Sequence, residues 1–168
     1  MLTDILSHLE ALVSFDTRNP PRLIGTGGIF DYIRAQLPDF NVDVSDHGDG
    51  AVSLLAVRGQ PRRLFNVHLD TVPSSEAWTA DPLRLQVTAD RAIGLGACDI
   101  KGAAAGLIAA GQATQGAAAF LFSSDEEAND ARCIDAFLFG GEARARRQFD
   151  SLRCGGRLNR SHHVYCET

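Results

Sequence analysis

Residues 117–127 read Ala-Ala-Ala-Phe-Leu-Phe-Ser-Ser-Asp-Glu-Glu, an apolar run that ends in two serines and three consecutive acids. A short continuous apolar run is typical of a strand that is buried on both faces of a sheet. The three adjacent carboxylates repel one another unless a cation lies beside them. The stretch therefore predicts a buried strand followed by an acidic loop. Two interpretations of the acids stay open: a cation site, and an acidic helix start that the helix dipole favours.

Two further polar segments lie where predicted strands end in loops. Residues 66–73 read Asn-Val-His-Leu-Asp-Thr-Val-Pro, and residues 94–102 read Gly-Leu-Gly-Ala-Cys-Asp-Ile-Lys-Gly. Alternate side chains of a strand share a face, so His68 and Asp70 point the same way. His68 can bind a metal through one ring nitrogen while Asp70 holds the other nitrogen and sets the tautomer; the alternative is a strand-end histidine beside a turn aspartate. Asp99 taken alone is interpreted as a helix N-cap.

The rest of the chain up to residue 136 alternates between helical and strand patterns. Apolar residues at helical spacing predict helices over residues 2–14, 29–37 and 101–113, and apolar runs predict strands over residues 40–44, 51–57 and 63–67. Leu83, Leu85 and Val87 alternate with polar residues and predict one more strand. Helices that alternate with buried strands favour the α/β class, with helices on both sides of the sheet.

Composition excludes several classes of protein. The length of 168 residues suits one domain of about 150 residues, and the net charge of −5 argues against a nucleic-acid binder. No apolar run approaches the roughly 20 residues that span a bilayer, and the acidic N-terminus lacks the basic start of a secretory signal, so we expect no membrane partner and a cytoplasmic location. The four cysteines are too irregular for a disulfide framework or a zinc ribbon. The glycines at 94 and 96 and at 25–28 match neither a dinucleotide loop nor a phosphate loop.

The composition changes near residue 137. Residues 1–136 carry 18 acidic and 10 basic side chains, whereas residues 137–168 carry 3 and 6, so the formal charge reverses from −8 to +3. Neither helical nor strand periodicity continues into the second segment. We therefore predict that residues 1–136 form one domain and that residues 137–168 are an atypical tail, out of frame or disordered. The alternative is a genuine divergent tail.

The three polar segments together predict a metal centre more strongly than any one of them. His68, Asp99 and Glu127 supply ligand atoms suited to zinc, cobalt or manganese. Two metal ions about 3.5–4 Å apart can share a bridging carboxylate such as Asp99. A metal-bound water has a pKa of about 7 and supplies a nucleophile at neutral pH. Glu126, adjacent to a ligand, can take the proton of this water as general base.

These segments resemble the zinc-dependent aminoacylase and carboxypeptidase family of metallopeptidases, which includes acetylornithine deacetylase and succinyl-diaminopimelate desuccinylase. The similarity lies in residues 68–73, 94–102 and 125–127, with supporting matches at 12–17 and 78–82. It covers residues 1–136 and implies an incomplete catalytic domain of the dinuclear-zinc exopeptidase type, with a mixed sheet flanked by helices. Among the subfamilies, the chain is most similar to the acetylornithine and acetylcitrulline deacetylases, and residues 19–21 and 125–130 resemble the acetylcitrulline type. This resemblance implies hydrolysis of a small N-acetyl amino acid in arginine biosynthesis.

The resemblance also implies a role for each matching residue. His68 is implied as a ligand of one metal and Glu127 of the other, with Asp99 as the bridge, Asp70 orienting His68 and Glu126 as the general base. Family members are about twice as long and carry a further acidic ligand, a lid or dimerisation domain and a late histidine. Asp150, His162 and His163 match no family motif and receive no role. We therefore expect impaired activity in this chain, and the alternatives are a non-catalytic metal-binding fragment and an inert one.

Overall fold

The computed structural model describes residues 1–21 and 24–139. The helices are α1 (Leu2–Ser14), α2 (Ile29–Gln36), α3 (Gly102–Ala113) and α4 (Arg132–Phe139), and a π-helical turn, Ala97–Lys101, precedes α3. The strands are β1 (Asn41–Asp46), β2 (Val52–Arg58), β3 (Phe65–His68), β4 (Gln86–Val87), β5 (Ala92–Ile93) and β6 (Ala118–Ser123). Within these ranges no helix has both the length and the apolar character needed to cross a bilayer.

Four strands form one mixed sheet in the order β1-β2-β6-β3. β2 is antiparallel to both β1 and β6, whereas β3 runs parallel to β6. The parallel pair requires a crossover connection, which contains the β4–β5 hairpin and α3. Because β3 and β6 are parallel, their carboxyl ends meet at the same edge of the sheet. The polar residues that follow both strands are thereby brought together.

The sheet is covered on both faces, as the sequence predicts. Alternate residues of β2 and β6, among them Leu54 and Phe122, pack under α1, α2 and α3 in the main core. The intervening residues Val57 and Ala119 form a smaller cluster on the opposite face, against which Phe137 of α4 packs. β6 is buried along almost its whole length, which agrees with its continuous apolar sequence. The predicted α/β class with a mixed, helix-flanked sheet is confirmed.

Two details differ from the sequence-based expectations. The strand predicted from Leu83, Leu85 and Val87 is wrong for its first part, because a turn replaces it: the Asp81 carboxylate accepts a hydrogen bond from the Leu83 N–H at 2.9 Å. Helix α4 begins before residue 136 and continues to Phe139, across the boundary predicted from composition. The tail beyond it, with Asp150, His162 and His163, lies outside the described residues.

Replacing Arg58 by alanine is expected to destabilise the fold by about 1–3 kcal/mol. The Arg58 guanidinium donates to the carbonyls of Gly111 and Gly116 at 2.9 Å each, near the end of α3, and lies 4.4 Å from the centre of the Phe40 ring. Urea denaturation measures the change in the free energy of unfolding. Arg62→Ala, which removes an exposed arginine, is the matched control. Equal midpoints for the two variants would contradict this role of Arg58.

Candidate metal centre

His68 is the last residue of β3, and its ring is largely buried, with 12% of the side chain exposed. Its Nδ1 lies 3.1 Å from the carbonyl oxygen of Asp70 and 3.4 Å from Asp70 Oδ1. Both neighbours are acceptors, so Nδ1 carries the hydrogen. Nε2 is left facing the acids of the site, which is the orientation that a metal ligand requires.

Asp70 is fully buried and joins the two strand ends. Its Oδ2 accepts hydrogen bonds from the backbone N–H of Glu127 at 2.8 Å and from the side-chain amide of Asn19 at 3.3 Å. Its Oδ1 faces His68 and has no hydrogen-bond partner among the described residues. One carboxylate therefore sets the position of both His68 and Glu127.

Asp99 lies in the π-helical turn before α3 and is not a helix cap. Neither that turn nor α3 has a side-chain cap hydrogen bond, so the N-cap interpretation is wrong. The Asp99 side chain is 78% exposed, and its Oδ1 lies 3.1 Å from His68 Nε2. The backbone of Asp99 itself is non-helical, with φ −117° and ψ 94°. This local departure from the helix directs the carboxylate to His68.

The acidic loop after β6 divides its three carboxylates between two roles. Asp125 is buried and accepts a hydrogen bond from the backbone N–H of Cys133 at 2.9 Å, so it stabilises the start of α4. Glu126 extends toward the histidine, with its Oε2 3.9 Å from His68 Nε2. α4 begins only at Arg132, so the acids do not start a helix, and that alternative is excluded.

His68, Glu126 and Glu127 each offer a ligand atom, and these atoms lie within 4.8 Å of one another. Burial by itself lowers the pKa of His68, but the hydrogen bonds and charge of Asp70, together with the charge of Glu126, raise it to about 9. Burial is also the main cause that raises the pKa of Glu127, and the charges of Glu126, Asp70 and Asp99 add to it, against the opposing effect of His68. Crowded acids beside a nitrogen ligand fit a divalent cation such as zinc.

An open cavity of about 370 Å³ lies beside this cluster. Its lining combines small residues of the loop before α3 with groups from the two strand ends: Thr71, Val72, Gly94, Gly96, Ala97, Cys98, Asp99 and Glu127. Gly96 lets the loop that carries Asp99 pack closely against Thr71, because a Cβ at this position would lie 2.4 Å from the Thr71 methyl. The cavity is large enough for a small substrate next to the acids.

Two site-supporting residues were missed by sequence reasoning. In the sequence Asn19 belongs to the segment 19–21 that resembles the deacetylase branch and has no predicted role in the site, yet the residue is buried and contacts Asp70. Lys101 was placed in a helix, yet its buried ammonium donates to the carbonyl oxygen of Phe15 at 3.0 Å, and burial lowers its pKa to about 8 despite the opposing charge of Asp16. Hydrophobic periodicity identifies buried apolar residues and gives no signal for a buried polar residue. The pattern of the sequence therefore does not reveal that Asn19 and Lys101 are buried.

Comparisons with known proteins agree with this geometry. Over 142 residues the chain is 70% identical to N-acetyl-L-citrulline deacetylase of Xanthomonas campestris pv. campestris, a match that covers 84% of this chain and 39% of that protein. Over 136 residues it is 32% identical to succinyl-diaminopimelate desuccinylase of Sphingopyxis alaskensis, covering 74% of this chain and 35% of that protein. The chain thus spans less than two fifths of the length of these relatives.

The fold is also similar to the crystal structure of human carnosine dipeptidase 1. The TM-score is 0.69 at 19% sequence identity, and the match covers 88% of this chain and 36% of that chain. At this identity the likeness concerns the fold alone. A family match spans residues 64–159, which is more than half of the chain and includes His68, Asp99 and the acidic loop. The chain therefore belongs to peptidase family M20/M25/M40, a family of metal-dependent hydrolases.

Proposed function

We propose that this chain carries part of the active site of a metal-dependent amidohydrolase that removes the acetyl group from an N-acetyl amino acid. The observation that carries the proposal is the convergence of His68, Asp99, Glu126 and Glu127 at the shared end of β3 and β6. The 70% identity to N-acetyl-L-citrulline deacetylase supports acetylcitrulline as the substrate, with acetylornithine as the alternative. The reaction belongs to arginine biosynthesis, and a cytoplasmic location is consistent with it.

In this proposal His68, Asp99 and Glu127 would hold zinc or cobalt, with Asp99 as the carboxylate that two ions would share. When bound, the metal would supply Lewis-acid chemistry, since it would lower the pKa of a water and polarise an amide carbonyl. Glu126, which is half-exposed beside His68, accepts a proton from the attacking water and delivers it to the leaving α-amine. Asp70 keeps the hydrogen of His68 on Nδ1, so that Nε2 is free to ligate.

The proposal includes a limit on activity. We propose that the 168-residue chain by itself binds metal weakly and hydrolyses little substrate. The supporting consideration is the ligand set, because zinc prefers four ligands, whereas the proposal assigns three in the described part of the chain, namely His68, Asp99 and Glu127. We keep as the second candidate a non-catalytic metal-binding role, which the same cluster supports.

Acetate release from N-acetyl-L-citrulline by the purified chain, with and without zinc, tests the proposal. A slow zinc-dependent release that Glu126→Gln removes, while zinc binding persists, would support the deacetylase function. Zinc binding without any hydrolysis would favour the non-catalytic role. Failure to bind zinc or cobalt at all would contradict both. Asp43→Asn, which removes an exposed carboxylate of β1, is the control for loss of negative charge.

Zinc binding at pH 7.5 is expected to release about one proton per ion, because the pKa of His68 is raised to about 9 and Nε2 must lose its proton before it ligates. Affinity should therefore increase about tenfold for each pH unit between 6 and 8 if His68 dominates. Titration calorimetry in two buffers of different ionisation enthalpy counts the protons. His47→Ala, which changes a histidine bonded to Ser53 away from the site, should release the same number. An affinity that does not change over this range would contradict the assignment of His68.

A further inference from the structure

The side-chain amide of Asn19 joins the two strand ends that form the site. Asn19 is 1% exposed. Its Nδ2 donates to Oδ2 of Asp70 at 3.3 Å and to the carbonyl oxygen of Ser124 at 3.1 Å. Asp70 follows β3, and Ser124 lies directly before the acidic loop that follows β6. One amide group therefore connects the loop that carries His68 with the loop that carries Glu126 and Glu127.

The segment around Asn19 is itself held firmly beside the end of β3. The backbone N–H of Asn19 donates to the carbonyl of Thr71 at 2.8 Å, and the Thr71 N–H donates to the carbonyl of Thr17 at 3.0 Å. The Thr17 hydroxyl adds a bond to the carbonyl of Leu69 at 2.7 Å. These three hydrogen bonds restrict the backbone around Asn19. The fold therefore holds the Asn19 side chain beside Asp70.

The chemistry of the Asn19 amide suits this position. Oδ2 of Asp70 accepts two donors, the Asn19 amide and the Glu127 N–H, while Oδ1 is left to face His68. Without the amide, the buried carboxylate loses one of its two hydrogen-bond donors and can rotate about its Cβ–Cγ bond. A rotated carboxylate changes both the orientation of the His68 ring and the bond to Glu127. Buried charges depend strongly on such donors.

We propose that Asn19 is a positioning residue of the metal centre, which acts through Asp70 to set the geometry of His68 and Glu127. This inference rests on the proposed metal-dependent function. The hydrogen bond by which Asn19 orients Asp70 does not depend on bound metal. The experiment therefore includes one measurement on the metal-free chain.

Asn19→Asp is the sharpest variant, because it keeps the size of the side chain, removes the donor and places a second carboxylate against Asp70. Asn41→Asp adds the same charge at an exposed residue of β1 and is the matched control. Circular dichroism and thermal melting establish that each variant is folded. Each variant is then compared with the wild-type chain in three properties: zinc affinity, the visible absorption spectrum of the cobalt-loaded chain, and the rate of hydrogen exchange at the Glu127 amide.

For Asn19→Asp we expect zinc affinity to fall about tenfold or more, the usual effect of losing a group that orients a ligand. The cobalt spectrum should change in shape, and the Glu127 amide should exchange at least about fivefold faster in the metal-free chain, since its acceptor is disturbed. Asn41→Asp should leave all three unchanged. A change in melting temperature alone would not alter the cobalt spectrum of the folded chain, so the spectrum separates positioning from general stability.

A folded Asn19→Asp chain with unchanged Glu127 exchange and unchanged zinc affinity would overturn the inference. If the unchanged chain binds neither zinc nor cobalt, the proposed function fails, and the Glu127 exchange rate alone decides whether Asn19 positions Asp70. If Asn19→Asp does not fold, Asn19→Ser removes the amide without adding charge. Faster Glu127 exchange in that variant supports the inference, and an unchanged rate overturns it.

Discussion

Replacing His68 by alanine is expected to lower zinc affinity by about 100-fold or more, since even groups that only orient a ligand are worth 10–100-fold. His68 lies at the centre of the site: its Nε2 is 3.1 Å from Asp99 Oδ1 and 3.9 Å from Glu126 Oε2. Alanine removes the one nitrogen ligand of the described cluster and leaves the acids without a fixed partner. Titration calorimetry and competition with a chromogenic chelator measure the loss of affinity.

His47→Ala is the matched control for this variant. His47 is bonded to the Ser53 hydroxyl at 2.9 Å on the face of the sheet that α4 covers, and no acid of the site contacts it. We expect its zinc affinity to stay within about twofold of the unchanged chain, because surface changes away from a site have small effects. If a folded His68→Ala chain bound zinc with wild-type affinity, His68 would not be a zinc ligand, and the proposed metal centre would be wrong.

Replacing Gly96 by alanine is expected to destabilise the fold by about 2–5 kcal/mol, the sum of left-handed backbone strain and overpacking. Gly96 has a φ of +74°, and an added Cβ would lie 2.4 Å from the Thr71 methyl and 3.4 Å from Lys101 Cδ. Thr71 is next to Asp70, and Lys101 follows Asp99 closely in the chain. Relief of the clash must therefore move the loop of Asp99 away from His68, so zinc affinity should decrease as well. Urea denaturation and zinc titration measure the two effects.

Gly106→Ala is the control for the loss of a glycine. Gly106 lies inside α3, with no atom within 4 Å of an added Cβ. Alanine there should stabilise the helix by about 0.5–1 kcal/mol, since glycine loses more backbone entropy on folding. If Gly96→Ala unfolds at the same urea concentration as the unchanged chain, the tight approach of the Asp99 loop to Thr71 is not present in solution.

Much of the fold follows from local patterns. The continuous apolar run of residues 117–122 indicates a buried strand, and β6 (Ala118–Ser123) is that strand. Helical spacing in residues 2–14 predicts α1 with its bounds almost unchanged. The strand predicted from Leu83, Leu85 and Val87 is wrong in its first part because the side chain of Asp81 stabilises a turn there. The alternation of apolar and polar residues gives no sign of this hydrogen bond. The start of α4 was missed because its cap, Asp125, lies seven positions before the helix.

The structure brings the predicted site residues close to His68, and their roles as ligand, bridge or base stay predictions. Alternation placed His68 and Asp70 on one face, and the structure places Nδ1 of His68 3.4 Å from Asp70 Oδ1. The acidic loop did not indicate which acids turn toward the site. The structure separates them, since Asp125 turns to α4 while Glu126 and Glu127 gather near His68. The three acids are adjacent in the sequence and have the same neighbours, so the sequence does not distinguish their roles. Only their contacts in the folded chain, with Cys133 or His68, separate them.

The amino-acid sequence by itself determined most of the strands and helices, and the family, because each depends on residue types and short spacings. The tertiary structure alone decided the strand order β1-β2-β6-β3 and the meeting of Asn19, Asp70 and Ser124. The physical reason is separation along the chain. Asn19 and Ser124 are 105 residues apart, and a hydrogen bond between such distant segments leaves no periodic trace in the residues between them. It forms only once the parallel strands bring their carboxyl ends together.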